Sequence, residues 1–450
     1  MAAELMTGLL AMPLIGGLLL LIADRRGARR WGYRAAVASL GVVTICATGL
    51  VFAGDGDVRM GSWVPGAGAM SLHAGGVGGY AVVVVSAAAL AALVRQRGDE
   101  PASAAVAMVA LAGACVALLS GHFLLRYVAL EVVALCVAAV PLVERGGYEG
   151  GRRARFAYVL LRIGDAGLLT AILVLMDVSG TLDIGEALHM AEYMSDGQLA
   201  WVVAGMALAV WVKAGVWPLG IWKQAGHDLA PFTGIWLYDL LVPSLGLYLL
   251  YRVTPTIVLT GMLRWLLLGA AALSTVVGGL RLARRWRDVP TLWVGSVLGG
   301  LALCCATLGH GACVAALLLG GSVIQITLGL WADQSAERTS RIRELALPVP
   351  GAGLEHWLLD RLSWLHTALE DGLFESGGPR LWRSLGSTAG LVYRTIEQDG
   401  MERMLRVLSR GVIAGGHTMQ HWHTGRLRAN TAWVVLALLL AVAVLVTQGW

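Results

Sequence analysis

The chain has 450 residues, of which 57% are hydrophobic and only 14% are charged, and its mean hydropathy is +0.70. Soluble domains carry about 25% charged residues, so this chain has too few to cover a surface that faces water. The composition excludes a soluble globular protein and predicts an all-α protein that crosses the membrane many times. The modest net charge of +5 does not indicate a nucleic-acid partner.

Apolar runs long enough to cross a hydrocarbon core of about 30 Å as a helix recur along the chain. After the first run comes Ala23-Asp24-Arg25-Arg26, without a cleavage site of small residues, which indicates a retained helix rather than a signal peptide. We predict about twelve transmembrane helices, at residues 6–23, 35–53, 76–94, 103–120, 122–143, 156–177, 200–220, 232–252, 257–280, 290–308, 311–331 and 431–448.

These helices divide the chain into a transmembrane domain (1–331), a more polar tract (332–430) and a C-terminal transmembrane helix (431–450). Such amphipathic stretches lie on the bilayer surface or along neighbouring subunits. In the polar tract, apolar residues share one helical face: Leu354, Trp357, Leu358, Leu362, Leu365 and Leu369.

Residues that commonly bind metals are present but not grouped at ligand spacing. The six cysteines form no CxxC or Cys/His pattern, which predicts small buried hydrophobic side chains. No glycine-rich phosphate loop and no nucleophile elbow is found, so we expect no cofactor and no catalytic site in this chain. A cluster near the end of the polar tract could bind a metal, but without a nearby Cys or carboxylate an interfacial loop is the better interpretation: His417, His421 and His423.

Lys213 lies within an apolar run and is one of only two lysines among the 34 basic residues. A charge at the bilayer centre costs at least ~2.5 kcal/mol, so each one is a hypothesis of function. A buried lysine can release its proton, whereas an arginine stays charged. Lys213 is therefore predicted to titrate, the alternative being a side chain that snorkels towards the interface.

Pro218 follows Lys213 by five residues. Proline lacks an N–H donor and clashes with the preceding helical turn. The segment Trp217-Pro218-Leu219-Gly220 therefore predicts a helix broken at membrane depth, which is tolerated only where the backbone lines protein or water. We expect the freed carbonyls and the Lys213 amine to share one polar pocket in the protein interior.

Three further charges lie in predicted helices: Glu131, Arg162 and Asp165. Each also has a structural interpretation. Arg162 and Asp165 are three residues apart on one helical face and could neutralise each other. Glu131 could pair with Arg126.

The remaining charged residues near these segments are expected at interfaces. Lys223 follows Trp222 directly and is predicted to anchor the chain at the membrane interface. Glu144, at a helix end, and His227 and Asp228, in the loop after the break, are expected to be solvated.

Three segments occur in the order and spacing of a known family: "LRYVALEVVALCVAAVPL", "RRARFAYVLLRIGDAGLLTAILVLMDVSGTLDIGEAL" and "VKAGVWPLGIWKQAGHDLAPFTGIWLYDLLVPSLGLYLLYRVTP". They resemble the large antiporter-like subunit of respiratory complex I (chain 5) and its relatives in Mrp cation/proton antiporters and membrane-bound hydrogenases. The tail, with "YRTIEQDGMERMLRVLSRGV" and "HWHTGRLRANTAWVVLALLLAV", resembles the end of that subunit. The resemblance extends over about 8–330 and again over about 390–448.

The resemblance implies a fold of two inverted five-helix repeats with an ion path between them. In that family a glutamate on the fifth helix and a lysine on the broken seventh helix form an ion pair that drives proton uptake. Glu131 and Lys213 occupy those positions, and Arg162, Gly164 and Asp165 match an Arg-x-Gly-Asp segment of the family.

The chain also departs from that family. Where the eighth helix usually has a histidine, this sequence offers Tyr238 and Asp239 as additional proton-transfer candidates. After residue 331 the chain passes into the polar tract, so the second repeat is predicted to be truncated and stripped of titratable groups. In place of the expected histidines and lysine, the 311–331 helix has only neutral polar residues: Ser322, Gln325 and Thr327.

Three functions follow as hypotheses. The first is a proton-conducting, non-catalytic subunit of a multi-subunit complex in a bacterial inner membrane, either a redox-driven translocase or an inorganic-carbon uptake complex with a soluble partner. The second is a degenerate antiporter-like scaffold that no longer conducts. The third, a stand-alone cation/proton antiporter, is disfavoured because the second half of the ion path is missing.

Overall fold

A computed structural model describes residues 2–54, 56–59, 69–96, 100–285 and 290–339. Most of the polar tract (332–430), the helix predicted at 431–448 and the three-histidine cluster lie outside the described residues. These predictions are therefore not tested by the structure.

The described backbone is almost entirely helical, with one small antiparallel sheet of β1 (Asp57–Arg59) and β2 (Ser71–His73) between the second and third helices. The helices are α1 (Ala2–Arg25), α2 (Arg29–Phe52), α3 (Gly76–Arg95), α4 (Pro101–Leu119), α5 (Phe123–Glu144), α6 (Gly147–Ser179), α7 (Ile184–Met190), α8 (Asp196–Lys213), α9 (Val242–Leu259), α10 (Met262–Arg285), α11 (Pro290–Thr307) and α12 (Gly311–Thr339). Two further helical segments connect α8 to α9. The first is a 3₁₀ helix (Leu219–Gly226), which is wound more tightly than an α-helix, and the second is a π helix (Phe232–Leu241), which is wound more widely.

Every predicted run up to residue 331 contains a helix, which confirms the all-α membrane fold. Within the described ranges, nine helices are long and apolar enough to cross a membrane, so the count of twelve is not reproduced. Several predicted boundaries are wrong by more than a few residues: α6 begins at Gly147 and not at 156, and α9 continues through Pro255 to Leu259, so that α10 begins only at Met262.

The helix predicted at 200–220 is interrupted, as expected, but Gly215 rather than Pro218 ends it. α8 begins with a capping box of Ser195 and Gln198 and ends at Lys213. Gly215 has a φ of +68°, a left-handed conformation that favours glycine after a helix. The backbone N–H groups of Gly215 and Val216 donate to the carbonyls of Val212 and Trp211, which is the Schellman pattern of a helix C-terminus.

The carbonyls freed at this break do not bind the Lys213 amine. Val212 O accepts from the Trp222 indole at 2.7 Å. Trp217 O accepts from the Trp211 indole at 3.0 Å and from the hydroxyl of Ser274 at 2.8 Å. The break is therefore satisfied by indole and hydroxyl donors, and the predicted pocket shared between carbonyls and amine is not formed.

α6 and α8 approach each other very closely. A Cβ atom added at Gly205 of α8 would lie 2.4 Å from the backbone oxygen of Gly167 on α6. One added at Gly164 would lie 3.0 Å from Cβ of Val212. Glycine at these positions lets the two backbones meet, and this contact sets the position of the charges that α6 presents to α8.

Candidate functional site

Among the described residues, an ion pair in which both side chains are almost fully buried joins α6 to α8. Lys213 Nζ lies 2.5 Å from Asp165 Oδ1, and the side chains are 2% and 1% exposed. Lys213 is also the last residue of α8, where the negative end of the helix dipole favours a cation. The structure thus confirms that Lys213 faces the protein interior and does not snorkel.

A second ion pair joins α6 to α5. Arg162 Nη1 contacts Glu131 Oε2, and both side chains are only partly exposed. The Arg162 guanidinium also stacks over the ring of Tyr158, 4.8 Å from its centroid. Each of the two pairs therefore takes one member from α6.

This pairing differs from the sequence prediction. A direct Glu131–Lys213 pair was expected, with neutralisation of Asp165 by Arg162 as the structural alternative. In the structure each of the four charges instead pairs across a helix–helix contact, because α6 lies between α5 and α8. The charges on α6 therefore join the two predicted site residues indirectly.

Arg126, the other suggested partner of Glu131, is engaged elsewhere. Its guanidinium donates to the backbone oxygens of Ala117 at 3.0 Å and Ser120 at 2.7 Å, and it stacks over the ring of Tyr248. A buried arginine that donates to helix-end carbonyls has a structural role. Glu131 is consequently available to Arg162.

Buried oxygens of both carboxylates have no hydrogen-bond donor among the described residues: Glu131 Oε1 and both oxygens of Asp165. Of the Asp165 oxygens, Oδ1 is in ion contact with Lys213 and Oδ2 is free of it. Buried polar atoms are normally hydrogen-bonded. An oxygen in this state can accept a proton or a water molecule without first losing a protein partner.

Lys223 is not at the interface, contrary to the prediction. Its side chain is 0% exposed, and its Nζ lies 3.4 Å from Asp239 Oδ1. The prediction was based on the position of Lys223 after the helix break and next to Trp222, a residue type that is common at membrane interfaces. In the structure, the 3₁₀ helix turns this segment back into the protein. Asp239, predicted only as an additional candidate, is thus a member of a third ion pair.

Tyr238, the other additional candidate, is completely buried. Its hydroxyl donates to the backbone oxygen of Val137 at 2.5 Å, and its ring lies 5.8 Å from that of Trp222. The hydroxyl proton is therefore directed to a carbonyl of α5 and not towards Lys223 or Asp239.

Glu144 was predicted to be solvated, but in the structure its carboxylate binds two donors of the protein. Its carboxylate accepts from the backbone N–H of Ala230 at 2.7 Å and from the Thr233 hydroxyl at 2.9 Å. These contacts satisfy donors at the start of the π helix, as a capping residue does. His227 and Asp228 are exposed as predicted, and they pair with each other at 2.7 Å.

The cysteine prediction is only partly correct. All six cysteines are free, and Cys115 and Cys136 are buried. Cys313 is exposed, and the remaining three are half-buried.

A family model of transmembrane regions, described as NADH:quinone oxidoreductase/Mrp antiporter, matches residues 120–330. This range contains all three ion pairs. The matched range is shorter than the two stretches of the sequence, about 8–330 and about 390–448, that resemble that family by their motifs.

Two curated proteins illustrate the similarity. One, from Staphylococcus aureus (strain MSSA476), is named as antiporter subunit mnhA2 and is 21% identical over 196 residues, covering 43% of this chain and 24% of the relative. The other, from Hydrogenovibrio crunogenus, is named as inorganic carbon transporter subunit DabB and is 28% identical over 181 residues, covering 40% of this chain and 35% of the relative. The matched region thus spans between a quarter and about a third of these relatives.

Among solved structures, the Mrp complex from Dietzia sp. DQ12-45-1b has a similar chain, with a TM-score of 0.65 and 16% identity over 73% of this chain and 38% of that chain. At this identity the likeness shows the fold. The sequence match and the shared fold agree: residues 120–330 are similar to the transmembrane region of NADH:quinone oxidoreductase and Mrp antiporter subunits, and the chain has the fold of antiporter-like membrane subunits.

Proposed function

We propose that this chain is the proton-coupling membrane subunit of a multi-subunit complex. The observation that carries the proposal is the Lys213–Asp165 pair: a titratable amine, almost fully buried at the end of an interrupted helix, 2.5 Å from a carboxylate. Buried ionisable groups at membrane depth are costly and are retained chiefly for function.

The arrangement suggests how protonation and ion pairing are coupled. While Asp165 faces Lys213, its carboxylate is the counter-charge of the amine, and such a partner favours the charged form of an amine. Arg162 lies three residues from Asp165 on α6 and cannot lose its own charge. If Asp165 moves from Lys213 to Arg162, the amine loses its counter-charge and releases its proton.

The same exchange frees the second carboxylate. When Arg162 turns to Asp165, Glu131 loses its partner and becomes able to bind a proton. Proton release at Lys213 and proton uptake at Glu131 are then linked through α6. Glu131 and Lys213 thus act together in this proposal, although they are not in direct contact.

The relatives suggest the setting. One is named as a subunit of an antiporter and the other as a subunit of an inorganic carbon transporter. We therefore propose that the chain works with other membrane subunits in the cytoplasmic membrane of a bacterium, as a non-catalytic subunit. Two assemblies fit: a redox-driven proton-pumping complex, and an inorganic-carbon uptake complex with a soluble partner.

A non-conducting scaffold is the second candidate function, and one observation favours it. Between residues 290 and 331, which include all of α11 and most of α12, the sequence has no carboxylate, lysine or arginine, and its one histidine, His310, lies between the two helices. Within these helix segments, a proton leaving the first charged cluster would have only neutral polar groups to follow.

The Lys213→Arg variant distinguishes the two functions. Arginine keeps the positive charge next to Asp165 but does not deprotonate. The variant should assemble with its partner subunits and lose proton coupling, measured with a pH-sensitive dye in inverted membrane vesicles that contain the complete complex. Glu131→Gln should impair coupling and leave assembly intact.

The matched control is Arg152→Lys, since Arg152 is an exposed residue that pairs with Glu149 on the surface. It should assemble and couple as the wild type does. If Lys213→Arg assembles and couples at the wild-type rate, the amine is structural and the scaffold function is correct.

A further inference from the structure

Lys223 and Asp239 form a buried ion pair in the two irregular segments between α8 and α9. Lys223 belongs to the 3₁₀ helix and Asp239 to the π helix. The lysine side chain is 0% exposed, whereas that of the aspartate is 14% exposed. The pair thus has one fully enclosed end and one end that is partly accessible.

The protein makes room for this amine with glycines on two other segments. A Cβ atom added at Gly295 of α11 would lie 2.6 Å from Lys223 Nζ and 2.5 Å from Gln325 Nε2 of α12. One added at Gly215, in the helix break, would lie 2.5 Å from Lys223 Cδ. Any larger residue at Gly215 or Gly295 would therefore collide with the side chain of Lys223. The side-chain amide of Gln325 also lies beside Gly295.

The pair is loose compared with that of Lys213. Its Nζ–Oδ1 distance is 3.4 Å, against 2.5 Å for Lys213 and Asp165, and charge-assisted hydrogen bonds measure about 2.7–2.9 Å. Among the described residues, Lys223 Nζ makes no hydrogen bond. An ammonium has three donors to satisfy, so this environment stabilises its charged form only weakly and accommodates the neutral amine.

Other charged groups around Lys223 do not replace Asp239. Between Pro290 and Trp331, α11 and α12 contain no charged residue. On α6, Arg153 binds Glu149 and the backbone oxygen of His227, and Asp165 binds Lys213. The charge state of Lys223 is therefore governed chiefly by Asp239.

We propose that Lys223 and Asp239 form a second proton-exchange site, separate from the Lys213–Asp165 pair. Asp239 receives a proton at its accessible side and passes it to the enclosed amine, which returns it by the reverse step. The transfer converts a neutral amine and a protonated carboxyl into an ammonium and a carboxylate, so charge and protons balance. π-helical segments occur frequently at functional sites. The proposal rests on the proton-coupling function given above and adds a site to it.

A spectroscopic readout is needed because the Lys223 amine is enclosed. Infrared difference spectra of the assembled complex are recorded over a range of pH, and the carboxyl band that Asp239→Asn removes is assigned to Asp239. We expect this band to change with pH at a defined midpoint. Lys223→Met removes the positive partner, so it should raise the midpoint by about one pH unit or more.

Glu149→Gln is the control, because it removes an exposed carboxyl and should leave the assigned band and its midpoint unchanged. If Asp239→Asn removes no pH-dependent carboxyl band, or if Lys223→Met leaves the midpoint unchanged, the two residues do not exchange a proton and the site is overturned. Should Lys223→Met fail to assemble, Lys223→Gln removes the charge with a polar side chain in its place, and an unchanged midpoint in that variant would likewise overturn the site.

A transport measurement separates this site from the proposed function. Lys223→Arg and Lys213→Arg are compared for dye-reported proton movement in vesicles of the complete complex. If both assemble and neither couples, both sites are supported. Normal coupling in Lys223→Arg alone makes its ion pair structural and leaves the proposed function standing, whereas normal coupling in Lys213→Arg overturns the role proposed for Lys213 whatever Lys223 does.

Discussion

Arg162 and Asp165 lie three residues apart on α6, yet each pairs with a charge on a different neighbouring helix: Arg162 with Glu131 on α5, and Asp165 with Lys213 on α8. Opposite charges at this spacing often pair with each other on a helix surface. Here α6 lies between α5 and α8, and each of the two charges contacts an opposite charge on the neighbouring helix.

Neutralising one member of the Lys213–Asp165 pair should be more harmful than neutralising both. Lys213→Met and Asp165→Asn each leave a buried group without its counter-charge, at a cost of about 3–5 kcal/mol. The double variant removes both charges and should recover much of the stability. Thermal unfolding of the purified complex checks this, and single variants as stable as the wild type would show that the pair is not formed.

The close contact of α6 with α8 should not tolerate a methyl group. Gly205→Ala directs a Cβ at the backbone oxygen of Gly167, 2.4 Å away, so we expect loss of stability and of coupling. Gly197→Ala is the matched control on the same helix, since nothing lies within 4 Å of its Cβ position. Alanine is favoured over glycine within helices by about 1 kcal/mol, so the control should be neutral or slightly stabilised. Equal unfolding temperatures of the two variants would contradict the close packing.

Trp222→Phe should affect coupling as well as stability. It removes the indole donor to Val212 O, 2.7 Å away at the end of α8, next to Lys213. Trp236→Phe is the control. It also removes a buried indole donor, which binds Val85 O at 2.9 Å, but Trp236 is far along the chain from the helix break. Each variant should lose about 1–3 kcal/mol for the carbonyl left without its donor. Only Trp222→Phe should also slow proton movement in vesicles; the same coupling defect in both would show a general effect on folding.

Glu144→Gln should loosen the start of the π helix. The carboxylate accepts from Ala230 N and the Thr233 hydroxyl, and hydrogen bonds to charged groups contribute about 1.5–3 kcal/mol each. We expect a lower unfolding temperature for the assembled complex. Glu149→Gln, which affects an exposed carboxylate paired with Arg152 and Arg153, should change it little. A larger effect at Glu149 would be evidence against this capping role.

The subunit interpretation predicts partners. Purified in mild detergent, the chain should elute together with other membrane subunits, because an antiporter-like subunit with a predicted amphipathic tract is expected to depend on neighbours. The measurement is size-exclusion chromatography followed by mass spectrometry of the peak. A stable monomer that transports protons after reconstitution would refute the subunit interpretation.

The sequence by itself determined the features that depend on composition and local chain chemistry. Long apolar runs can only be membrane helices, and the positions of α1 to α6, α11 and α12 follow from them. A lysine in such a run was predicted to face the interior, because exposure to lipid is costly, although a side chain that snorkels to the interface remained the alternative. The motif segments around Glu131, Arg162 and Lys213 likewise indicated the family, since their order and spacing can be read without coordinates.

Only the tertiary structure decided which charges meet. The sequence placed Glu131 with Lys213, but ion pairing depends on which helix lies between two others, and α6 supplies the partner of each. Lys223 shows the same limit: next to Trp222 it is typical of an interface, yet the turn after Gly215 brings it under Gly295 and Gln325. Local patterns specify where a helix begins, ends or breaks, whereas the contacts of a buried side chain are set by segments that are distant in sequence.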